Sequence, residues 1–305
     1  MLSICIPVYN FNMRSLVEKL HNQAIKINSK IEIYLLDDGS KKEFCISNRQ
    51  LDSFSTVKYE ELPANVGRSK IRNILAQRAK NDYLLFLDCD SDIESDLFLS
   101  DYDAACRNNN VIYGGRTYGE KPSNKNYFLQ WYYTTVKNGA PFDERSKSPY
   151  YSFCTNNFLV SRKVLLEVPF NEELKGWGHE DTLFAYELKS KGYKIAHINN
   201  PILHKGYVTN REYIENMLQG LMNLIIIYET GKYPEFTSDF KTLHFLDKVI
   251  RLKMLWLIRS GYWLIESFIN KNVKGSNPKL FIFDVFKLGN ICKFWHQRDI
   301  IKVKD

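Results

Sequence analysis

An open, mostly parallel α/β sheet flanked by helices, followed by a helical basic tail, is the fold this sequence predicts. Three observations lead there. Short apolar runs of strand length end in polar and acidic residues, helical periodicity fills the stretches between them, and the charge balance shifts near residue 240. From Lys241 onward there are 13 Lys and Arg against 5 Asp and Glu, so the tail carries +8 and residues 1–240 carry −1 of the formal +7.

The first strand is "LSICIPVYN" (2–10) and the second "IEIYLLDDGS" (31–40); between them Leu16, Val17, Leu20, Ala24 and Ile27 recur at helical spacing, which makes a βαβ unit. "GRSKIRNILAQRAK" (67–80) reads as a second helix, and "DYLLFLDCDSD" (82–92) as a buried strand running into acids. "NNVIYGGRTYG" and "NNFLVSRKVLLEV" read as strands of a mixed continuation, "DTLFAYELKSKG" as a helix closed by Gly192, and 193–206 as a strand. The polar stretch Glu120–Tyr150 is expected to be a mobile loop over a site. The expected division is a catalytic domain over 1–236 and a basic amphipathic helical extension over 237–305.

At 305 residues, 44 % apolar and 25 % charged, the chain is an ordinary folded protein rather than a disordered one. Its six cysteines form no C-x-x-C pair, and Met1 leads straight into a strand pattern without a signal-type segment, so a reduced, cytoplasmic setting is expected.

Ligands of open α/β sheets bind beyond the carboxyl ends of the strands, so Pro7, Tyr9 and Asn10, then Asp37 and Asp38, then Asp88 and Asp90 are read as one nucleotide site. Tyr9 can stack on a base, Asp38 can accept from a base N–H, and Arg68 or Arg72 beside Gly67 can face phosphate. Each piece alone is also ordinary turn or surface chemistry; the combination within one pattern is the signal. A pyrophosphate beside two carboxylates calls for a divalent cation, with Asp90 as the leading ligand and Asp88 bridging to ribose or metal. Hard oxygen ligands suit Mg²⁺ or Mn²⁺, and His204 would favour Mn²⁺ if it completes the shell; otherwise it caps a strand end.

The segment "KGWGHEDTLFAYEL" (175–188) raises a separate question, because two glycines flank Trp177 directly before an acid pair. Gly176 and Gly178 would let the backbone approach a ligand, Trp177 offers a face on which sugars stack, and Glu180 and Asp181 open a helix. The pair is either catalytic, with Asp181 as a base, or simply favourable first-turn charge.

Taken together, "SICIPVYN", "LLDDGS", "NVGRSKIRN", "FLDCD", "NNFLVSRKVL" and "GWGHED" resemble the family 2 glycosyltransferases of GT-A fold over roughly residues 3–206. "GWGHED" is also similar to the matching segment of β-1,4-galactosyltransferases and bacterial chondroitin-type polymerases. The resemblance implies that Pro7, Tyr9 and Asp38 hold the uracil and ribose of a UDP-sugar, with Asn10, Asp37, Asn65, Gly67, Arg68, Arg72, Trp177 and Gly178 around the donor. It implies Asp88 and Asp90 at ribose and metal, His204 as a late metal ligand, and Asp181 as general base, with Glu180 beside it. Transfer would be a single inverting displacement, with galactose or an N-acetylhexosamine favoured, onto a glycan or lipid-linked acceptor in surface polysaccharide synthesis. The Gln-x-x-Arg-Trp signature of processive cellulose and chitin synthases is missing, which points to one sugar per encounter. A scaffold that binds nucleotide sugar without catalysis, and a nucleotidyltransferase, are the competing functions.

In the tail, "KVIRLKMLWLIRSGYWLIESFI" (248–269) is interrupted by Lys253, Arg259 and Glu266 before a span is complete. Two readings stand: a basic amphipathic helix lying on the inner face of the cell membrane, or a helix packed on the catalytic domain. Nucleic acid is not an expected partner.

Overall fold

The computed structural model describes residues 1–27, 30–138 and 140–302. The chain forms two compact units that interleave in sequence: Met1–Gly119, Gly139–Glu173 and Glu180–Gly206 make the first, and Glu120–Asn138, Leu174–His179 and Tyr207–Asp305 the second. The sequence boundary at 236/237 lies inside the second unit.

The first unit begins β1 (Leu2–Val8), α1 (Arg14–Ala24), β2 (Ile31–Asp37), α2 (Lys42–Arg49), β3 (Val57–Glu61), α3 (Arg68–Arg78) and β4 (Tyr83–Leu87). It continues with β5 (Ser91–Asp92), α4 (Phe98–Ala105), β6 (Val111–Tyr113) and β7 (Arg116–Tyr118). The second unit then supplies α5 (Phe128–Tyr133), and the first returns with α6 (Phe142–Arg145), β8 (Asn157–Ser161), α7 (Arg162–Glu167), α8 (Glu180–Ser190), β9 (Ala196–His197) and β10 (Ile202–His204).

Seven strands form one sheet in the order β3-β2-β1-β4-β8-β6-β9, and β5-β10-β7 form a small second one. The pairs β1–β2, β1–β4, β2–β3 and β6–β9 are parallel, whereas β8 runs antiparallel to both neighbours. The period-two alternation of β1 explains how one strand serves two cores. Leu2, Ile4, Ile6 and Val8 join Leu16, Val17 and Leu20 of α1, while Cys5 joins Ile71 and Leu75 of α3 on the other face. Each such fully buried Leu or Ile contributes about 1.5–3 kcal/mol. Pro7 is tolerated in this central strand because the ladder to β4 ends at Cys5↔Phe86, so its missing N–H interrupts no bond on that side.

Four expectations change in detail. Gly114 and Gly115 split "NNVIYGGRTYG" into β6 and β7 of different sheets, and Asn199–Pro201 divide 193–206 into β9 and β10 in the same way. "NNFLVSRKVLLEV" is strand only to Ser161, whose hydroxyl accepts from Val164 N at 3.3 Å and caps helix α7. Glu120–Tyr150 is not structureless: it holds α5 and α6, with Gly139 outside the described residues. Residues 42–61 add α2 and β3, which the apolar pattern was too weak to announce.

The second unit completes the chain with α9 (Asn210–Thr230), α10 (Pro234–Asp239), α11 (Lys241–Arg251), α12 (Leu255–Val273) and α13 (Leu280–Lys302). Helix α9 opens with a reciprocal capping box, in which Glu212 N donates to Thr209 Oγ1 (3.2 Å) and Thr209 N to Glu212 Oε2 (2.9 Å). Leu129, Tyr213, Ile214, Met217, Tyr262, Ile269, Phe283 and Phe286 form its core. Among the described residues no helix is long and apolar enough to cross a membrane.

Candidate active site

The three strand ends named from sequence converge in the first unit, and each is held by identifiable bonds. After β1, Asn10 takes a positive φ of 51°; its N–H donates to Ser40 Oγ and its Oδ1 accepts from Lys41 N, both at 2.8 Å. Tyr9 is half exposed and Pro7 half buried. After β2, Asp37 is fully buried, with Oδ1 accepting from Ser40 N (2.7 Å) and Oδ2 from the Tyr59 hydroxyl (2.9 Å), so both oxygens are engaged in shaping the turn. Asp38 accepts from Val66 N (2.7 Å) and Gly67 N (3.2 Å). Desolvation raises its pKa, against the lowering by those two amides. Gly39 has φ 74°, and a Cβ there would lie 2.8 Å from Asn65 N, which is why this turn needs glycine beside exposed Asn65.

Helix α3 begins after Gly67 and delivers two arginines. Arg72, 2 % exposed, donates from Nη2 to Asp88 Oδ1 at 2.9 Å, and its Nη1 lies 4.0 Å from Glu180 Oε1. Arg68, half exposed, places Nη1 3.6 Å from the same Glu180 oxygen. Desolvation pulls the Arg68 guanidinium down, yet Glu180, Asp88 and Asp90 hold it above its ordinary value. Glu180 is therefore the buried counter-ion of two arginines. Asp181, one residue into α8, accepts at Oδ1 from Thr182 N (2.7 Å) and Thr182 Oγ1 (3.2 Å).

Register brings Asp90 and His204 together. Ser91, the first residue of β5, is the antiparallel partner of His204 in β10, so the residue before it falls beside the imidazole. Asp90 Oδ1 lies 3.4 Å from His204 Nδ1, and Gly206 is required nearby, because a Cβ there would come within 2.1 Å of Asp90 Oδ2. Asp90 Oδ1 is shielded from solvent and accepts no hydrogen bond among the described residues. A carboxylate oxygen in that condition beside an imidazole nitrogen fits a divalent cation held by one O and one N ligand, with other positions left to diphosphate and water. No third His, Cys, Asp or Glu among the described residues joins them as a ligand group. Asp88, expected beside the metal, has one oxygen committed to Arg72.

Sequence reasoning passed over two more residues of this unit. Arg116 of β7 stacks on the Tyr118 ring at 5.3 Å and leaves Nε without a hydrogen bond among the described residues. Burial lowers its pKa, but Cys154, Tyr118, Tyr113 and Asp181 more than offset this, which places Arg116 in the field of Asp181. Asn156 precedes β8, accepts at its backbone oxygen from Asp88 N (3.1 Å), and buries an amide with no partner among the described residues. The "GGRTYG" and "CTNNF" stretches held these residues, but neither has a spacing that marks chemistry. Burial pushes the nearby Cys89 thiol up to about 12 with Asp90 and Asp88 adding to the rise, and the Cys154 thiol up to about 11, which favours the protonated form of both.

In the second unit, Trp177 and Gly178 are fixed by α9. Asn223 Nδ2 donates to Lys175 O (3.0 Å) and Gly178 O (2.8 Å), and the Trp177 ring meets Tyr213 edge-on at 6.3 Å. The close approach that these glycines permit is to α9 itself. A Cβ on Gly176 would meet Gln219 Cγ at 2.8 Å, and one on Gly178 would meet Gly220 Cα at 3.1 Å.

Comparison with known proteins bears on the family and the fold. The model of "Glycosyl transferase family 2" matches residues 3–168. Chondroitin synthase of Pasteurella multocida is 28 % identical over 225 residues, covering 63 % of this chain and 23 % of that protein. The minor teichoic acid biosynthesis protein GgaA of Bacillus subtilis is 26 % identical over 215 residues, covering 63 % of this chain and 44 % of that one. The chain spans less than half the length of these curated relatives. Among solved structures, glucosyl-3-phosphoglycerate synthase from Mycobacterium tuberculosis, in complex with Mn²⁺, UDP and glucosyl-3-phosphoglycerate, aligns with a TM-score of 0.53 at 14 % identity, covering 76 % of this chain and 80 % of that one. The matched sequence and the shared α/β architecture agree that this chain belongs to glycosyl transferase family 2 and has the GT-A fold.

Proposed function

We propose that this glycosyltransferase moves a sugar from a UDP-sugar to a glycan or lipid-linked acceptor in surface polysaccharide synthesis, with inversion at the anomeric carbon. The observation that carries the reading is one set of contacts: Arg72 joins Asp88 to Glu180, and Asp90 meets His204, with Asp88 and Asp90 directly beyond the carboxyl end of β4. UDP in the aligned mycobacterial enzyme, and the chondroitin synthase and minor teichoic acid biosynthesis protein among the relatives, support the donor and the pathway class. Galactose or an N-acetylhexosamine remains the favoured sugar, on the "GWGHED" resemblance.

In this reading Tyr9 stacks on the base, and Asp38, fastened to the 66–67 amides, orders the nucleoside pocket with Pro7, Asn10, Asn65 and Gly67. Asp37 positions that loop rather than touching the donor, since both its oxygens are already bonded. Arg68, the more exposed of the two arginines, faces the diphosphate. Arg72 and Glu180 position Asp88 and Arg68. Asp90 and His204 would hold Mn²⁺ or Mg²⁺, which when bound neutralises charge on the departing diphosphate. Asp181 accepts the acceptor hydroxyl's proton while that oxygen attacks the anomeric carbon.

We also place the second unit at a membrane surface, through α12. That helix packs inward through Tyr262 and Ile269, whereas Trp256, Trp263, Leu264 and Phe268 are 67–74 % exposed on its other side. An exposed stripe of aromatic and aliphatic side chains, bordered by Arg259 and the Lys293–Glu266 pair in a tail of net +8, suits an anionic bilayer interface.

The reading is tested by measuring UDP release from UDP-glucose, UDP-galactose and their N-acetyl counterparts, with and without Mn²⁺. Release from at least one, rising with metal and acceptor, is expected; no release from any, with or without Mn²⁺, would remove the UDP-sugar assignment.

A further inference from the structure

Asn156 is 4 % exposed, and both ends of its amide, Nδ2 and Oδ1, are shielded from solvent without a hydrogen-bond partner among the described residues. Burying an amide unpaired is unfavourable, and folded proteins rarely keep such a group unless something else satisfies it. Its neighbour shows the contrast. Asn157 is fully buried too, but its Nδ2 donates to Gly115 O (2.8 Å) and Asn200 O (2.9 Å) and its Oδ1 accepts from the Tyr102 hydroxyl (2.8 Å). The amide of one asparagine is thus fully used by the fold, and that of the adjacent one has no partner among the described residues.

The position of Asn156 is set by the sheet. Its backbone oxygen accepts from Asp88 N at 3.1 Å, one residue beyond the Leu87↔Asn157 pairing of β4 with β8. Gly114 N donates to Asn157 O at 3.0 Å, which brings the segment that leads into Arg116 alongside. Other polar atoms in this part of the unit share its condition: Asp90 Oδ1, Ser91 Oγ, Arg72 Nε and Arg116 Nε are likewise shielded and without a hydrogen bond among the described residues. Unsatisfied groups gathered from helix α3, from the turn after β4 and from the starts of β5, β7 and β8 point to a ligand rather than to scattered packing faults.

The chemistry of the amide narrows what that ligand offers. A guanidinium only donates and a carboxylate only accepts, so arginine and aspartate serve phosphate and metal. A primary amide does both at once, which matches a group that also does both, such as a sugar hydroxyl or an acetamido substituent. We propose that Asn156 is a specificity-determining residue that reads a hydroxyl or acetamido group of the transferred sugar. This rests on the glycosyltransferase reading above and adds to it the residue that distinguishes one donor sugar from another. The sugar has to lie between the diphosphate, at Asp88 and Asp90, and the base, and the backbone oxygen of Asn156 accepts from Asp88 N.

The test uses the full chain with Mn²⁺. Calorimetry gives the affinity for UDP and for the four UDP-hexoses, and steady-state release gives kcat/KM for each. Asn156→Ala should leave UDP affinity within about twofold while kcat/KM for the best-used sugar falls about 10- to 100-fold, the range for losing one or two neutral hydrogen bonds. Preference among the four sugars should flatten. The melting temperature should stay the same or rise, since the replaced amide has no partner to lose, and Asn156→Ser should recover part of the activity. A lowered melting temperature with a parallel loss of UDP affinity would make Asn156 structural and overturn the role, as would unchanged kcat/KM and preference. If the wild type binds none of the four UDP-hexoses, the glycosyltransferase reading falls and takes this role with it; a selective wild type beside an equally selective variant removes Asn156 alone.

Discussion

Gly178 lies against Gly220, backbone to backbone: a Cβ on Gly178 would stand 3.1 Å from Gly220 Cα, and the Gly178 φ of 101° already excludes most side chains. The relation is unequal, because a Cβ on Gly220 meets the Trp177 and His179 rings at ordinary distances of 3.6 and 3.7 Å. Gly178→Ala should therefore lower stability by about 1–3 kcal/mol, the cost of a strained non-glycine backbone. Gly220→Ala, inside helix α9, should be neutral or mildly stabilising. Thermal melts of the two variants check this, and equal effects would mean that the approach of 178 to α9 does not constrain the fold.

Asp90 and His204 should act as one unit toward metal. Asp90→Ala and His204→Ala are each expected to remove the Mn²⁺-dependent part of UDP affinity, and the double variant should lose little more than either alone. Isothermal titration with UDP, at zero and saturating Mn²⁺, makes the comparison. Additive losses would show that the two residues serve separate purposes despite their 3.4 Å separation.

Asp181→Asn should retain UDP-sugar affinity and lower turnover by roughly 10²-fold or more, the effect of losing a general base. Steady-state rates with an accepted donor decide it, and near-normal turnover would move the base elsewhere. Glu180→Gln should differ in kind. Its carboxylate is the counter-ion of Arg68 and Arg72, so its loss should appear first in diphosphate affinity.

His197 supplies a pH dependence. Desolvation, with Arg145 adding to it and the Pro149 carbonyl opposing, lowers its pKa to about 4. The neutral ring fits its bonds: Nδ1 accepts from Arg145 Nη1 (2.8 Å) and Nε2 donates to Pro149 O (3.0 Å). Because the folded pKa lies below the unfolded value of 6.5, the unfolded chain binds more protons between those values, and stability falls as pH drops from 6.5 toward 4. After allowing for solvent screening, the loss from pH 7 to pH 5 is about 1 kcal/mol from this residue. His197→Gln should show a shallower loss in denaturant midpoints at the two pH values; identical slopes would clear His197 of the effect.

Full-length protein should sediment with vesicles containing anionic lipid, and only partly dissociate in high salt, since apolar burial is not screened. Trp263→Ser combined with Phe268→Ser changes two exposed side chains of α12 and should abolish most of that binding without lowering the melting temperature. Retained binding by the double variant would exclude the α12 face as the contact.

The sequence by itself determined the sheet and the acids at its edge. Continuous apolar runs such as residues 4–8 can be satisfied only by burial on both faces, and the polar residue that ends each run has to emerge at the same edge of a parallel sheet. That reasoning reaches Asp38, Asp88 and Asp90 without coordinates, because it depends on neighbours in the chain. It does not by itself join Asp90 to His204, which the sequence offered only through a conditional reading and a resemblance; their closeness follows from a two-residue antiparallel register across more than a hundred positions. Nor does it reach the commitment of Glu180 to Arg68 and Arg72, or the difference between Asn156 and Asn157, which look alike in sequence. The glycines around Trp177 show the limit most plainly. Sequence could say that the backbone must turn and come close to something, since only glycine allows both; that the something is helix α9 was decided by the tertiary structure, because close approach is a property of two segments and the sequence displays only one at a time.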